Sequence, residues 1–203
     1  MKKSLISALV LTFFFSIGLN AQLPTKAEEV SPLLIGEAMP NTVLTGTDGK
    51  SVAFLELAKE KPTVLLLYRG GWCPYCNAHL AAIGRAEAEI LKLGFQVIAV
   101  SPDAPNHLQA TAEKDSVGYR LFSDATGEFT KAVGIAFQAP ERYGKLLVDF
   151  SDGKNEGFLP VPAVFVLNKE GEILFEYINP NYKKRLGEDL LLAVLKAIVA
   201  EER

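Results

Sequence analysis

Cysteine, histidine and tryptophan are all scarce in this chain: two, two and one among 203 residues. A four-ligand zinc site would have to recruit Cys73, Cys76, His79 and then His107 or a carboxylate, with no second cysteine pair to complete it, so no metal is expected. Clusters of basic residues are missing as well, which leaves no electrostatic footprint for nucleic acid. The chain has no internal repeat and no low-complexity tract. Its N-terminal apolar run, LISALVLTFFFSIG, is shorter than the ~20 residues a membrane-spanning helix needs. No cysteine follows that run, which excludes lipid attachment there.

What the N-terminus does have is the pattern of an export signal. MKK is a short basic head, the apolar run follows, and Ala21 is a small residue at a cleavage position. Residues 1–21 are therefore expected to be a signal peptide, although Leu19 is a less usual choice two residues before the cut. An uncleaved anchor is the alternative. Export would place the protein in the periplasm of the cell envelope if the source is bacterial, without stable membrane insertion after processing. Loss of Lys2 and Lys3 leaves 19 basic against 24 acidic side chains, a net charge of −5. Residues 22–35, beginning QLPTKAEEVSPLL, read as a flexible polar tether, and residues 36–203 suit one domain with a full core.

Within that domain the pattern is α/β. NTVLTGTDGKSVAF alternates around Asp48-Gly49, a hairpin signal. PTVLLLY (62–68) is continuously apolar, as a strand buried on both faces is. Cys76, Leu80, Ile83, Ala86, Ile90 and Leu93 recur at helical spacing, with Gly94 where a helix stops. FQVIAVS is the next strand, completing a crossover unit with parallel pairing. YRLFS, flanked by short helices, is a further strand. AVFVLN and EILFEYI form an antiparallel pair, and Leu191, Val194, Leu195 and Ile198 mark a last helix. Before that pair, residues 135–160 hold Pro, Gly and charge, with one candidate helix near ERYGKLLVDF, over a length typical of a lid.

Both cysteines lie in GGWCPYCNAHL, separated only by Pro74 and Tyr75. A disulfide there closes almost no loop, so as a staple it would restrict the unfolded chain very little. Proline suits the first helical position, which puts Cys73 at the N-cap and Cys76 one turn in, close enough to bridge. Unpaired N–H groups at a helix start favour thiolate over thiol, and Arg69 adds positive charge. Cys73, expected to be the more exposed, is assigned as the attacking nucleophile and Cys76 as the resolving thiol, with a Cys73–Cys76 disulfide as the oxidised state. His79 reads as a solvated helix residue. Trp72, Tyr75 and Phe137 either line a substrate surface or simply pack.

LLLYRGGWCPYC, VPAVFVLNKEGEI and the strand order resemble the thioredoxin-like superfamily. More narrowly, they resemble the peroxiredoxin-like branch of the alkyl hydroperoxide reductase/thiol-specific antioxidant family. The likeness runs over roughly residues 36–200 and includes the N-terminal hairpin. It implies a thioredoxin-like fold: a central mixed sheet flanked by helices, with an N-terminal β-hairpin extension of peroxiredoxin type. It also implies that Pro162 is a cis-proline facing the dithiol. The family's peroxidatic cysteine falls by spacing on Cys76, its threonine on Cys73, its proline on Arg69 and its arginine on or beside Pro162. Three of the four peroxide-handling groups are thus replaced. Thioredoxins keep a buried carboxylate before the motif, where Leu67 stands here.

Two functional classes fit these residues, with no cofactor required. One is thiol–disulfide exchange in the envelope on a protein or small-molecule disulfide or thiol. The other is thiol-dependent peroxide reduction, in which one sulfur becomes a sulfenic acid and the second condenses with it. Either needs an electron-donating thiol reductase as partner. A non-enzymatic binding module is the third reading, and the acidified dithiol argues against it.

Overall fold

The computed structural model describes residues 22–201. The expected signal peptide lies outside them. In chain order the elements are β1 (Val43–Gly46), β2 (Ser51–Ala53), α1 (Phe54–Ala58), β3 (Thr63–Leu67), α2 (Pro74–Lys92), β4 (Gln96–Ser101), α3 (Pro105–Asp115) and β5 (Arg120–Ser123). Then follow α4 (Glu128–Ala132), β6 (Ala136–Gln138), α5 (Gly144–Phe150), β7 (Phe158–Pro160), β8 (Ala163–Leu167), β9 (Ile173–Ile178) and α6 (Glu188–Glu201). The main sheet has seven strands in the order β2-β1-β5-β4-β3-β8-β9. β3, β4 and β5 run parallel, while β1, β2, β8 and β9 join antiparallel. This is the mixed, helix-flanked sheet with an N-terminal hairpin that the resemblance implies.

The two-residue period of the strands divides the core in two. Val64, Leu66 and Tyr68 enter one layer with Leu80, Ile83 and Ile90 of α2 and Leu191 and Leu195 of α6. Leu65 and Leu67 face the opposite layer with Phe54 of α1 and Phe129 of α4, whose rings lie 4.7 Å apart. A continuous apolar run such as TVLLL is what a strand covered on both faces requires. Both cysteines belong to the α2 layer.

Three expectations need correction. Residues 22–35 are docked, not a free tether. Gln138 N–H donates to Pro24 O at 2.8 Å, Leu33 N–H donates to Val133 O at 3.0 Å, and Ala27, Val30 and Leu33 pack on the α1/α4 layer. Spacing of three between these apolar residues, diluted by charge, was enough to bury one side of the strap. Gly134, with φ +79°, is needed here because a Cβ would meet Ser31 O.

The stretch from 135 to 160 is not an unstructured lid either: β6 and β7 pair antiparallel and α5 packs between them in sequence. Its strands are three residues long, too short for alternation to register. Third, no described peptide bond is cis, so the Val161–Pro162 bond is trans. That is the ordinary isomer for X–Pro. Pro162 still stands directly before β8, whose Ala163 pairs with Leu67 at the end of β3.

Candidate active site at the start of α2

β3 ends at Leu67 and α2 begins at Pro74, so residues 68–73 form a tight connection at the C-terminal edge of the parallel strands. Its shape is pinned from several sides. Gly71 N–H donates to Asp103 Oδ2 at 2.7 Å, Asn77 Nδ2 donates to Gly71 O at 2.9 Å, and Cys73 N–H donates to Gly70 O at 3.1 Å. Gly70 has φ +142°, and a Cβ there would collide with the Trp72 indole nitrogen and the Asp103 carboxylate. Only glycine fits that corner. Cys73 is extended, at φ −93° and ψ 115°, and caps the helix; Pro74 is its first helical residue and Cys76 its third. The assignment made from proline's position therefore stands in the structure.

Both cysteines are free thiols in this structure, the reduced form of the pair. Neither is exposed: each shows 1% of its surface, so Cys73 is not the open nucleophile the sequence suggested. The two sulfurs differ in chemistry instead. The Cys73 thiol is lowered to about 5, first by the hydrogen bond from the Cys76 thiol, against the cost of burial, and then by backbone N–H of Cys76, the Arg69 charge and backbone N–H of Tyr75. Cys76 moves the opposite way. Burial pushes it well up, and its contact with Cys73 and the Cys73 charge push further, with Arg185 opposing. Unequal environments have split one dithiol into a nucleophile and a proton-retaining reserve.

Two arginines attend the two sulfurs. Arg69 Nη1 donates to Cys73 Sγ at 3.7 Å and Arg185 Nη2 donates to Cys76 Sγ at 3.5 Å. Arg69 is only 4% exposed, and its guanidinium lies 4.3 Å from the centre of the Tyr182 ring, 4.9 Å from Tyr143 and 5.0 Å from Trp72. Cation–π attraction of this kind holds a desolvated cation without a carboxylate. Tyr75, 41% exposed, meets Tyr182 edge-on at 5.7 Å. Trp72 and Tyr75 thus take part in the site's aromatic frame, while Phe137 lines a neighbouring cavity.

His79 is not a solvated helix residue: its Nε2 lies 3.1 Å from Leu186 O, and burial, then Arg185, lower its pKa to about 4. His107 stacks on Phe150 at 4.5 Å. Among the described residues no three His, Cys, Asp or Glu side chains cluster as metal ligands.

Several participants escaped the sequence. Arg185 and Tyr182 come from the loop after β9 and Tyr143 from a 3-10 turn that leads into α5, all far from the motif, and nothing in their local pattern marks them. Asp103 is different. It follows β4 in AVSPD, at the edge where parallel sheets place their ligands. It is 1% exposed, and burial raises it to about 7 against hydrogen bonds from Gly71 and Ser101. A buried carboxylate does lie under the motif, then, but in the loop after β4, the strand paired with β3, rather than at Leu67. Between the two stands Tyr68, fully buried, whose phenol is pushed up first by burial and also by Asp103 and Cys76.

With this geometry in place the comparisons are decisive for kinship. The AhpC/TSA family matches residues 35–175, more than half the chain. The chain belongs to the AhpC/TSA family. Within it, the chain is 29% identical over 156 residues to "Peroxiredoxin Q, chloroplastic" of Triticum aestivum, which covers 76% of this chain and 64% of that protein. Similarity extends to the thiol-disulfide oxidoreductase ResA of Bacillus thuringiensis subsp. konkukian, 25% identical over 167 residues, covering 82% of this chain and 80% of that one. The chain spans 64%, 66% and 58% of the length of the peroxiredoxin Q proteins from Triticum aestivum, Populus jackii and Gentiana triflora. Among solved structures, peroxidoxin BcpB of Mycobacterium tuberculosis shares the fold with a TM-score of 0.65 at 19% identity, over 81% of this chain and 97% of that one. This AhpC/TSA chain therefore has the thioredoxin-like fold in its peroxiredoxin-like form.

Proposed function

We propose that the chain is a dithiol oxidoreductase of the cell envelope that cycles Cys73 and Cys76 by thiol–disulfide exchange. The observation that carries this reading is the unequal pair: a thiolate held at the helix start beside a thiol that keeps its proton. Cys73 thiolate attacks one sulfur of a substrate disulfide. The substrate S–S bond breaks, a mixed disulfide forms, and the departing thiolate takes a proton from solvent.

That step also prepares the next one. Once Cys73 is bonded, its charge and its acceptor role vanish, so two of the three causes that hold the Cys76 proton are gone. Arg185 remains beside the sulfur to stabilise the thiolate. Cys76 then gives its proton to solvent and attacks Cys73, the mixed disulfide breaks, and the second substrate sulfur leaves as a thiolate that solvent protonates. The substrate has gained two electrons and the protein holds a Cys73–Cys76 disulfide. An external thiol reductase returns it to the dithiol.

Peroxide as oxidant is the second reading, favoured by the peroxiredoxin Q relatives and by the two guanidinium groups at the sulfurs. The family arginine is absent at its spaced position, yet Arg69 and Arg185 reach the sulfurs from elsewhere and can offset charge developing on a breaking O–O bond. One comparison separates the two. Reduced protein should reduce insulin faster than it consumes hydrogen peroxide, and Cys76→Ser should accumulate mixed disulfides through Cys73. Faster peroxide consumption, abolished in Cys76→Ser and with no trapped mixed disulfide, would replace exchange with the second reading.

A further inference from the structure

A cavity of about 160 Å³ is separated from Cys73 by the Arg69 side chain and is lined by Arg69, Phe137, Arg142, Tyr143, Leu159 and Tyr182. Its size is close to the ~150 Å³ that holds a benzene ring in a protein core. Most of the wall is aromatic or aliphatic, and Ala27 of the docked N-terminal strap closes part of it. The charge on the wall is of one sign. Among the described residues none of the lining side chains is acidic, and neither Arg69 nor Arg142 makes an ion pair. Arg69 is almost wholly buried, and its guanidinium is the partition between the cavity and Cys73, with Nη1 already on the sulfur. Arg142 lies 4.9 Å over the Tyr143 ring and is exposed to solvent.

We infer that this cavity is the substrate subsite for a small apolar carboxylate, one aryl ring or a chain of about six carbons carrying the reacting bond. Its carboxylate sits on Arg142, its apolar body lies between Phe137 and Tyr182, and its reacting end faces Arg69. Reaching Cys73 from there requires the Arg69 guanidinium to leave its contacts with Tyr182, Tyr143 and Trp72. A charge-assisted hydrogen bond from a fork of N–H donors selects a carboxylate over a neutral group of the same shape. The reacting bond rests on the exchange reading, which makes it a disulfide; the binding preference does not.

The test has two arms for this reason. Trp72 is the only tryptophan, and its ring lies 5.0 Å from the Arg69 guanidinium and 5.5 Å from Tyr143, so its fluorescence reports occupancy. In Cys73→Ser protein, where no exchange occurs, phenylpropanoate should bind about tenfold more tightly than phenylpropanamide. Arg142→Ala should erase that ratio and Arg142→Lys should keep part of it. Equal binding of acid and amide, no saturable binding of either, or an unchanged ratio in Arg142→Ala overturns the inference.

In the second arm, wild-type protein is mixed with dithiobis(nitrobenzoate) or with the uncharged dithiodipyridine. Each rate is normalised to that of free cysteine at the same pH. The normalised rate should favour the anionic disulfide, and Arg142→Ala should collapse the preference about tenfold. Selective acid binding without reaction toward either disulfide sinks the exchange reading and leaves the subsite standing. Fast reaction with no preference between the two does the reverse.

Discussion

The rim of the site and its floor are separated by one helical turn, yet they solve opposite electrostatic problems. At the rim, Cys73 has a helix start, a neighbouring thiol donor and Arg69, and its proton is released. On the floor, Cys76 lies against a core layer that includes Tyr68 and Leu80, and its proton is retained. Aromatic faces hold a buried cation above, while a buried carboxylate sits below with hydrogen bonds only from Gly71 and Ser101. The difference teaches that identical thiols three residues apart, each showing 1% of its surface, are assigned roles by partners and depth: burial leads at Cys76, and hydrogen bonding and charge prevail over it at Cys73.

The largest way to break this comparison is to remove the floor's influence on the rim. The hydrogen bond from Cys76 is the leading cause of the low Cys73 pKa. Cys76→Ala should therefore slow iodoacetamide alkylation of Cys73 at pH 6 by about tenfold or more, through a smaller thiolate fraction. Arg69→Met should slow it less, because the guanidinium charge is a later contributor. Wild-type alkylation should have its midpoint near pH 5. A midpoint near that of free cysteine, or a larger effect of Arg69→Met than of Cys76→Ala, would remove the asymmetry on which the roles depend.

How much of this was written in the sequence depends on whether a cue is local. The strand Thr63–Leu67, the helix beginning at Pro74 and Cys73 as its cap follow from one apolar run and one proline. The N-terminal hairpin follows from Asp48-Gly49. Arg69 was visible because it lies four residues from Cys73. Arg185 and Tyr182 were not, since their partnership with the motif is set by how the chain returns after β9. The Asp103 carboxylate was missed: the resemblance directed attention to Leu67, where no acid stands, and not to the end of β4, the neighbouring strand. The docking of residues 22–35 was hidden because three apolar residues at a spacing of three, diluted by charge, are too few to stand out as a periodic signal.

A smaller effect sharpens the second step. The Arg185 charge favours the Cys76 thiolate. Arg185→Met should lengthen the lifetime of the mixed disulfide by roughly three- to tenfold in stopped-flow experiments, on the scale of a partly screened charge near the surface. Its first step, read as the burst of released substrate thiol, should persist. If the mixed disulfide decays as fast as in wild type while the burst disappears, Arg185 serves Cys73 instead, and the pairing of one arginine with each sulfur fails.

The last test, which touches stability and not the rate of either chemical step, probes the floor itself through pH. Asp103 is raised to about 7 by burial, so its neutral form is the one the fold favours. Stability from this group is complete below the ordinary carboxylate pKa near 4 and is lost as the pH rises through 7, because the unfolded chain releases the proton earlier. Asp103→Asn removes that slope while keeping an oxygen to accept the Gly71 N–H, at the cost of placing an amide N–H₂ in the same buried space. The pKa gap of about three units sets an Asn-minus-Asp swing of about 4 kcal/mol between pH 4 and pH 8, measured by urea denaturation; split by the opposing terms, it is a gain of about 2 kcal/mol at pH 8 and a loss of similar size at pH 4. An Asn-minus-Asp difference that stays constant between pH 4 and 8 would mean that Asp103 titrates as an ordinary surface acid, and the floor would then lack the group that distinguishes it electrostatically from the rim.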